Sequence, residues 1–207
     1  MKYYPALLDL KDKICCVIGG GAVAQRKVNS LLSAGASVRL ISPALTEGLK
    51  KKFKNKEISW QKSTYRRDLI RNAFLVVAAT DDNRINLRVW RDARRLKVLV
   101  NIVDSPSQSN FIVPSVIERN GLIISISTSG KAPCLSKNIR KDLTRKFIPR
   151  YARMLKVLEA IRQELKDSCP NVSARKSILT KLLNSDIFVK GNRTKPKEII
   201  KRFLKKD

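Results

Sequence analysis

The stretch Lys13-Ile-Cys-Cys-Val-Ile-Gly-Gly-Gly-Ala-Val-Ala-Gln-Arg-Lys-Val28 constrains this chain more than any other. Ile14 to Ile18 is an uninterrupted apolar run, as expected of a parallel strand covered on both faces. Gly19, Gly21 and Ala24 follow at G-x-G-x-x-G/A spacing. Gly19 permits a tight turn out of the strand, Gly21 lets a pyrophosphate approach the backbone, and Ala24 lets the next helix pack closely. Val28, Leu31 and Leu32 carry that helix, whose first N–H groups face an anion. Gly35 stops it, and Ser37 to Ile41 reads as the next strand. Strand, glycine turn, amphipathic helix and second strand together imply a dinucleotide site in an α/β domain.

The rest of the chain narrows the chemistry. With no histidine among 207 residues, proton transfer falls to Asp, Glu, Lys, Tyr or Cys. The adjacent Cys15 and Cys16 point to opposite faces of one strand, and Cys134 and Cys169 stand alone, so neither a disulfide framework nor a zinc site is expected. Met1 to Leu10 has no long apolar core, and Ala73 to Ala79 is too short to span a bilayer. A soluble cytoplasmic protein is the expectation. The formal charge of +27 favours polyanionic partners: nucleic acid, acidic membranes or a small polycarboxylate. No nucleic-acid motif accompanies it.

Leu7 and Leu8 are expected to cover a sheet edge. Ser42-Pro43 stands where such domains usually place the acidic residue that holds the ribose hydroxyls, and that acid is missing. Leu45 to Lys56 reads as a basic helix, Ile58 to Gln61 as a minor strand and Arg67 to Asn72 as a short helix or turn. Phe74 to Ala79 is a second buried strand. Thr80, Asp81 and Asp82 lie at its carboxyl end, ahead of a helix carrying Ile85, Val89, Trp90, Ala93 and Leu96. One of the two aspartates fits a helix cap and the other a ligand contact. Val98 to Val103 is a third buried strand, ending near Asp104, and Ser105 to Asn110 reads as a substrate-facing loop.

Phe111 to Val113 and Leu122 to Ser127 are expected as strands outside the first sheet. After them, Thr128, Ser129 and Lys131 precede a helix with Pro133 in its first turn and Leu135, Ile139, Leu143 and Phe147 along it. The hydroxyls, the ammonium and the helix N–H groups make a carboxylate clamp. Beyond Pro149 the pattern is helical. Tyr151, Leu155, Leu158, Ile161 and Leu165 line one helix, which Cys169-Pro170 breaks. Ile178, Leu179, Leu182 and Leu183 line a second, and a last one opens at Pro196.

Taken in order, these motifs resemble the precorrin-2 dehydrogenase/sirohydrochlorin ferrochelatase family, which also forms the N-terminal part of siroheme synthases. The likeness rests on Ile18 to Lys27, Ala78 to Asn83 with Asn86, Asn101 to Pro106, Asn110 to Ser115 and Ile124 to Pro133. It covers roughly residues 1–150, and with no methyltransferase domain following, it suggests a stand-alone form. The resemblance implies a Rossmann-type NAD domain over 1–113, a small α+β dimerisation region over 114–149 and a helical C-terminal region over 150–207. It implies NAD-dependent oxidation of precorrin-2 to sirohydrochlorin by a homodimer, with Fe2+ insertion in some members.

The cofactor residues expected are Gly19, Gly21, Ala22, Val23, Ala24, Ser42, Pro43, Ala44, Thr80 and Asp81. Asn110, Thr128, Ser129 and Lys131 would meet the substrate. Asp104 takes the family's key carboxylate, as catalytic base and as a guide for iron if chelation occurs; its alternative is a loop cap held by the N–H groups of Ser107 or Gln108. The family's Ser-Ser-Gly-Gly type stretch reads Ser127-Thr128-Ser129-Gly130 here. A regulatory nucleotide-binding module of the potassium-transport type shares the fingerprint. It usually ends its second strand in an acid, so Ser42 and the Asp104-to-Pro133 stretch argue against it.

Overall fold

The computed structural model describes residues 2–146, 148–169 and 171–183. They fall into two compact units, divided between Val113 and Pro114. The first is a five-stranded parallel sheet in the order β3-β2-β1-β4-β5, with β1 Ile14–Ile18, β2 Ser37–Ser42, β3 Ser59–Lys62, β4 Leu75–Ala78 and β5 Leu99–Ile102. The chain runs outward from β1 to β3, then crosses back to β4 on the other side of β1. That reversal opens a crevice at the strands' carboxyl ends.

Helices α1 (Ala22–Ser33), α2 (Glu47–Lys54) and α3 (Asn83–Arg95) connect the strands. The strand pleat divides the core in two. Cys15 and Val17 pack with Ala24, Val28, Leu40 and Leu49 on one face, and Cys16 and Ile18 with Ile70, Val89 and Ala93 on the other. Each side chain of the size of Val or Leu, fully buried, stabilises the fold by roughly 1.5–3 kcal/mol. Arg67–Ile70 forms a short 3-10 turn. At the amino end, Leu7 and Leu8 do not cover the sheet: both are exposed, and Leu10 is the buried residue. Lys13 N donates to the Leu10 carbonyl at 3.0 Å, in a turn that places Leu10 just ahead of β1.

Phe111 to Val113, at the end of the first unit, is not a strand. The hairpin of the second unit is β6 (Ser115–Arg119) with β7 (Leu122–Ile126), and Arg119 pairs with Leu122 across Asn120-Gly121. Both turn residues have positive φ, 52° and 81°, as a two-residue hairpin turn requires. Phe111 instead packs against the first unit's core, and its carbonyl accepts from Asn101 Nδ2 at 3.1 Å. Ile117, Leu122, Ile124 and Ile126 pack with Leu143 of α4 (Pro133–Lys146). Helices α5 (Ile148–Ser168) and α6 (Val172–Leu183) bury Ile161, Leu165, Ile178 and Leu182 together. Phe147, Pro170 and the helix expected from Pro196 onward lie outside the described residues. Among the described residues, no helix is long and apolar enough to cross a membrane.

Candidate dinucleotide site

The crevice at the carboxyl edge of the sheet is a cleft of about 850 Å³, within the roughly 300–1,000 Å³ usual for cofactor sites. The β1–α1, β2–α2 and β4–α3 loops line it, with Ser63 to Tyr65 after β3 and Asp104 after β5.

The three glycines divide the work. Gly19 has φ 114°, and a Cβ there would run into the Ala79 carbonyl at the end of β4. At Gly20 a Cβ would run into the Ala44 carbonyl and lie 2.8 Å from Ser42 Oγ, so this residue lets two loops close on each other. A Cβ at Gly21 would meet nothing within 4 Å. That open space lies at the start of α1, whose N-cap has no side-chain hydrogen bond and whose first turn carries no acidic residue. Its leading N–H groups are free for an anion. Ala22 and Val23 line the cleft, whereas Ala24 is fully buried under the helix and does not touch it.

On the β2 side, Ser42 is buried and its hydroxyl donates to the Ala44 carbonyl at 2.8 Å. Its own carbonyl accepts from Trp60 Nε1 at 3.1 Å. Pro43 and Ala44 form the wall. Behind it, Thr46 Oγ1 donates to Gln25 Oε1 at 2.6 Å and accepts from Leu49 N at 3.3 Å, capping α2 and tying it to α1. On the β4 side the two aspartates separate. Asp82 caps α3, accepting from Arg84 N at 2.7 Å and Ile85 N at 3.4 Å. Asp81 is exposed in the cleft beside Thr80.

Asp104 follows β5 with φ 60°, a left-handed conformation that Asp tolerates better than most residues. The Gln108 N–H, one of its two candidate caps, goes instead to the Ser105 carbonyl at 3.2 Å. Lys27, half-buried on α1, is the nearby cation. Burial and the Arg26 charge push its pKa down, and the Asp104 carboxylate pulls it back up.

Asn110 is committed elsewhere. Its Oδ1 accepts from Val100 N at 2.8 Å and its Nδ2 donates to the Val98 carbonyl at 3.3 Å, closing the free edge of β5. Ser109 Oγ does the same for Ile102 N at 2.9 Å. In the second unit, Thr128 Oγ1 accepts from Ala132 N at 3.0 Å and Ser129 has φ 55°, forming the turn that starts α4, with Lys131 exposed on it. Sequence reasoning passed over Gly20, Lys27 and the Ser63-to-Tyr65 loop. A triple glycine offered a signal for the first; the others depend on which loops meet.

Comparisons with known proteins agree with this geometry. The family model described as "Putative NAD(P)-binding" matches residues 6–115, more than half of the chain. The chain is 34% identical over 201 residues to a siroheme synthase of Photobacterium profundum, covering 96% of this chain and 43% of the relative. It is 37% identical over 184 residues to a siroheme synthase of Actinobacillus succinogenes, covering 89% of this chain and 39% of the relative. The chain therefore spans less than half the length of these curated relatives. Its fold matches the solved structure of SirC, a precorrin-2 dehydrogenase, with TM-score 0.81 and 25% identity over 98% of this chain and 100% of that one. The likeness read from the motifs is thus met in sequence and in fold, and by its matching model, its parallel sheet and its glycine loop the chain belongs to the NAD(P)-binding family.

Proposed function

We propose that this chain oxidises precorrin-2 to sirohydrochlorin with NAD+ as hydride acceptor. The observation that carries this reading is the match to SirC over nearly the whole length of both chains. The residues present fit the cofactor: open space at Gly21, free amides at the start of α1, and the Pro43–Ala44 wall on the adenosine side.

When bound, NAD+ supplies the hydride acceptor. The chain's own part is binding and proton transfer. The amides at the start of α1 hold the pyrophosphate against a helix N-terminus. Oxidation of the macrocycle also releases a proton, and the Asp104 carboxylate accepts it. Lys27, kept partly out of water on α1, is the cation that this carboxylate's charge acts on. The surface charge draws in a polycarboxylate substrate, and Lys131 with the Thr128 and Ser129 hydroxyls holds its carboxylates.

The preference for NAD+ over NADP+, the dimerisation role of residues 114–149, homodimer assembly and a cytoplasmic location belong to the same proposal. So does insertion of Fe2+, as substrate, with Asp104 taking the displaced protons. Anaerobic incubation with precorrin-2 and NAD+ tests the reading by the absorbance of sirohydrochlorin and NADH. Equimolar appearance of both is expected. Tight NAD+ binding with no NADH formed would favour the regulatory module instead. Adding Fe2+ to the completed reaction tests chelation in the same cuvette.

A further inference from the structure

Among the described residues, two buried side-chain polar atoms have no hydrogen-bond partner, the hydroxyls of Tyr3 and Ser63, and Ser63 lies in the wall of the dinucleotide cleft. Buried hydroxyls in native proteins are nearly always paired, and an unpaired one destabilises the protein that carries it. Such a group at a ligand site is explained when the ligand supplies the partner.

The position of Ser63 says which part of the ligand that is. The strand β3 pairs with β2 so that Lys62 stands opposite Ser42, which brings Ser63 level with Pro43 at the carboxyl edge of the sheet. Ser63 N donates to the Gln61 carbonyl at 2.9 Å, a tight turn that takes the chain off β3 and along the cleft. With the pyrophosphate over α1, the β2–β3 side takes the adenosine half, and the opposite side, towards Asp104, takes the nicotinamide.

The adenosine ribose in such sites is held through its 2′-hydroxyl by a carboxylate at the end of β2. Residue 42 is a serine here, and its hydroxyl is spent on the Ala44 carbonyl. Pro43 and Ala44 have no polar side chain, and the Thr46 hydroxyl is spent on Gln25. Of these hydroxyls around the β2 end, that of Ser63 is the one buried and still unpaired.

We propose that the Ser63 hydroxyl, turned about its Cα–Cβ bond from its buried position into the cleft, binds the 2′-hydroxyl of the adenosine ribose, doing from the end of β3 what a carboxylate at residue 42 would do from the end of β2. This rests on the dinucleotide site proposed above. A serine in that place also carries no charge, so ribose recognition here is neutral, through one short side chain from a neighbouring strand.

The test is a comparison of parent and Ser63→Ala for binding of NAD+ and 2′-deoxy-NAD+, with the melting temperature of each protein without ligand. The parent should bind NAD+ roughly three- to ten-fold more tightly than the deoxy analogue, as for loss of one hydrogen bond. The variant should bind the two alike. Its unliganded melting temperature should equal or exceed the parent's, because an unpaired buried hydroxyl has been removed. A variant that discriminates between the two ligands as well as the parent does would overturn the role of Ser63 and leave the dinucleotide site standing. A parent that binds neither ligand would overturn the site itself, and this inference with it.

Discussion

Thr80 and Asn86 hold each other twice: Thr80 Oγ1 donates to Asn86 Oδ1 at 2.8 Å, and Asn86 Nδ2 donates to the Thr80 carbonyl at 3.0 Å. Asn86 is 5% exposed on the first turns of α3, so the pair fixes the β4–α3 loop from beneath and presents Thr80 and Asp81 to the cleft. Asn86→Leu leaves the Thr80 carbonyl without this partner. A loss of about 1–3 kcal/mol in urea unfolding is expected, together with weaker NAD+ binding. Full stability with normal NAD+ affinity would show that the loop holds its shape unaided.

The glycine loop separates fold from binding within two neighbouring positions. Gly20→Ala should lower stability by about 1–3 kcal/mol, because two backbone segments must move apart. Gly21→Ala should change the stability of the unliganded protein by no more than about 0.5 kcal/mol, since its Cβ enters open space. It should nevertheless weaken NAD+ binding, and Gly21→Asp should abolish it through a negative charge at the pyrophosphate. Calorimetry of both variants with and without NAD+ decides the matter.

Asp104→Asn keeps the backbone, because Asn accepts the left-handed φ as readily as Asp does. It removes the charge that acts on Lys27. Near-normal NAD+ affinity is expected, with dehydrogenase kcat lower by about 10²–10⁴-fold, as for loss of a general base. Any iron insertion should fall with it. Turnover within a few-fold of the parent would remove Asp104 from the chemistry.

Stability should also decline at alkaline pH. Burial pushes both Cys15 and Cys16 thiols up from the ordinary 9.0 to about 11, with the neighbouring Arg39 charge opposing this at Cys16. Between those pH values the unfolded chain has released protons that the native core retains, so stability falls as pH rises. Urea midpoints from pH 8 to pH 11 should drop. The drop should be shallower in a Cys15→Ala/Cys16→Ala variant, even though that variant is less stable at pH 8. Equal slopes would place the alkaline limb elsewhere.

What could be read in the chain depended on the range of the interaction. β1 and β4 are plain as uninterrupted apolar runs, because a parallel strand covered on both faces needs nothing else, and β5 is nearly so, broken by Asn101 alone. Phe111 to Val113 is as apolar as a strand, so the first strand of the second unit's hairpin reads there and not at Val116 and Ile117, where the structure has it. Asn120-Gly121 was the better signal, because it states the turn by its own backbone preference. Asn110 read as a substrate contact because polar loop residues beside a cleft often are, whereas its amide closes the edge of β5. The unpaired hydroxyl of Ser63 could not be read at all. It depends on how β3 registers on β2, and no local pattern encodes that pairing.

Trp60 gives the site its own optical reporter. Its indole donates to the carbonyl of Ser42, packs edge-on against Phe53 with ring centroids 5.5 Å apart, and so sits behind the adenosine wall. The chain's other tryptophan, Trp90, lies on α3 with the Arg94 guanidinium over its ring. Dinucleotide loading should therefore alter ultraviolet-excited emission, with Trp60 reporting on the adenosine side. Occupancy can thus be followed in real time without a label, and Trp60→Phe should remove the part of the change that arises on the adenosine side, leaving any energy transfer from Trp90 to bound NADH.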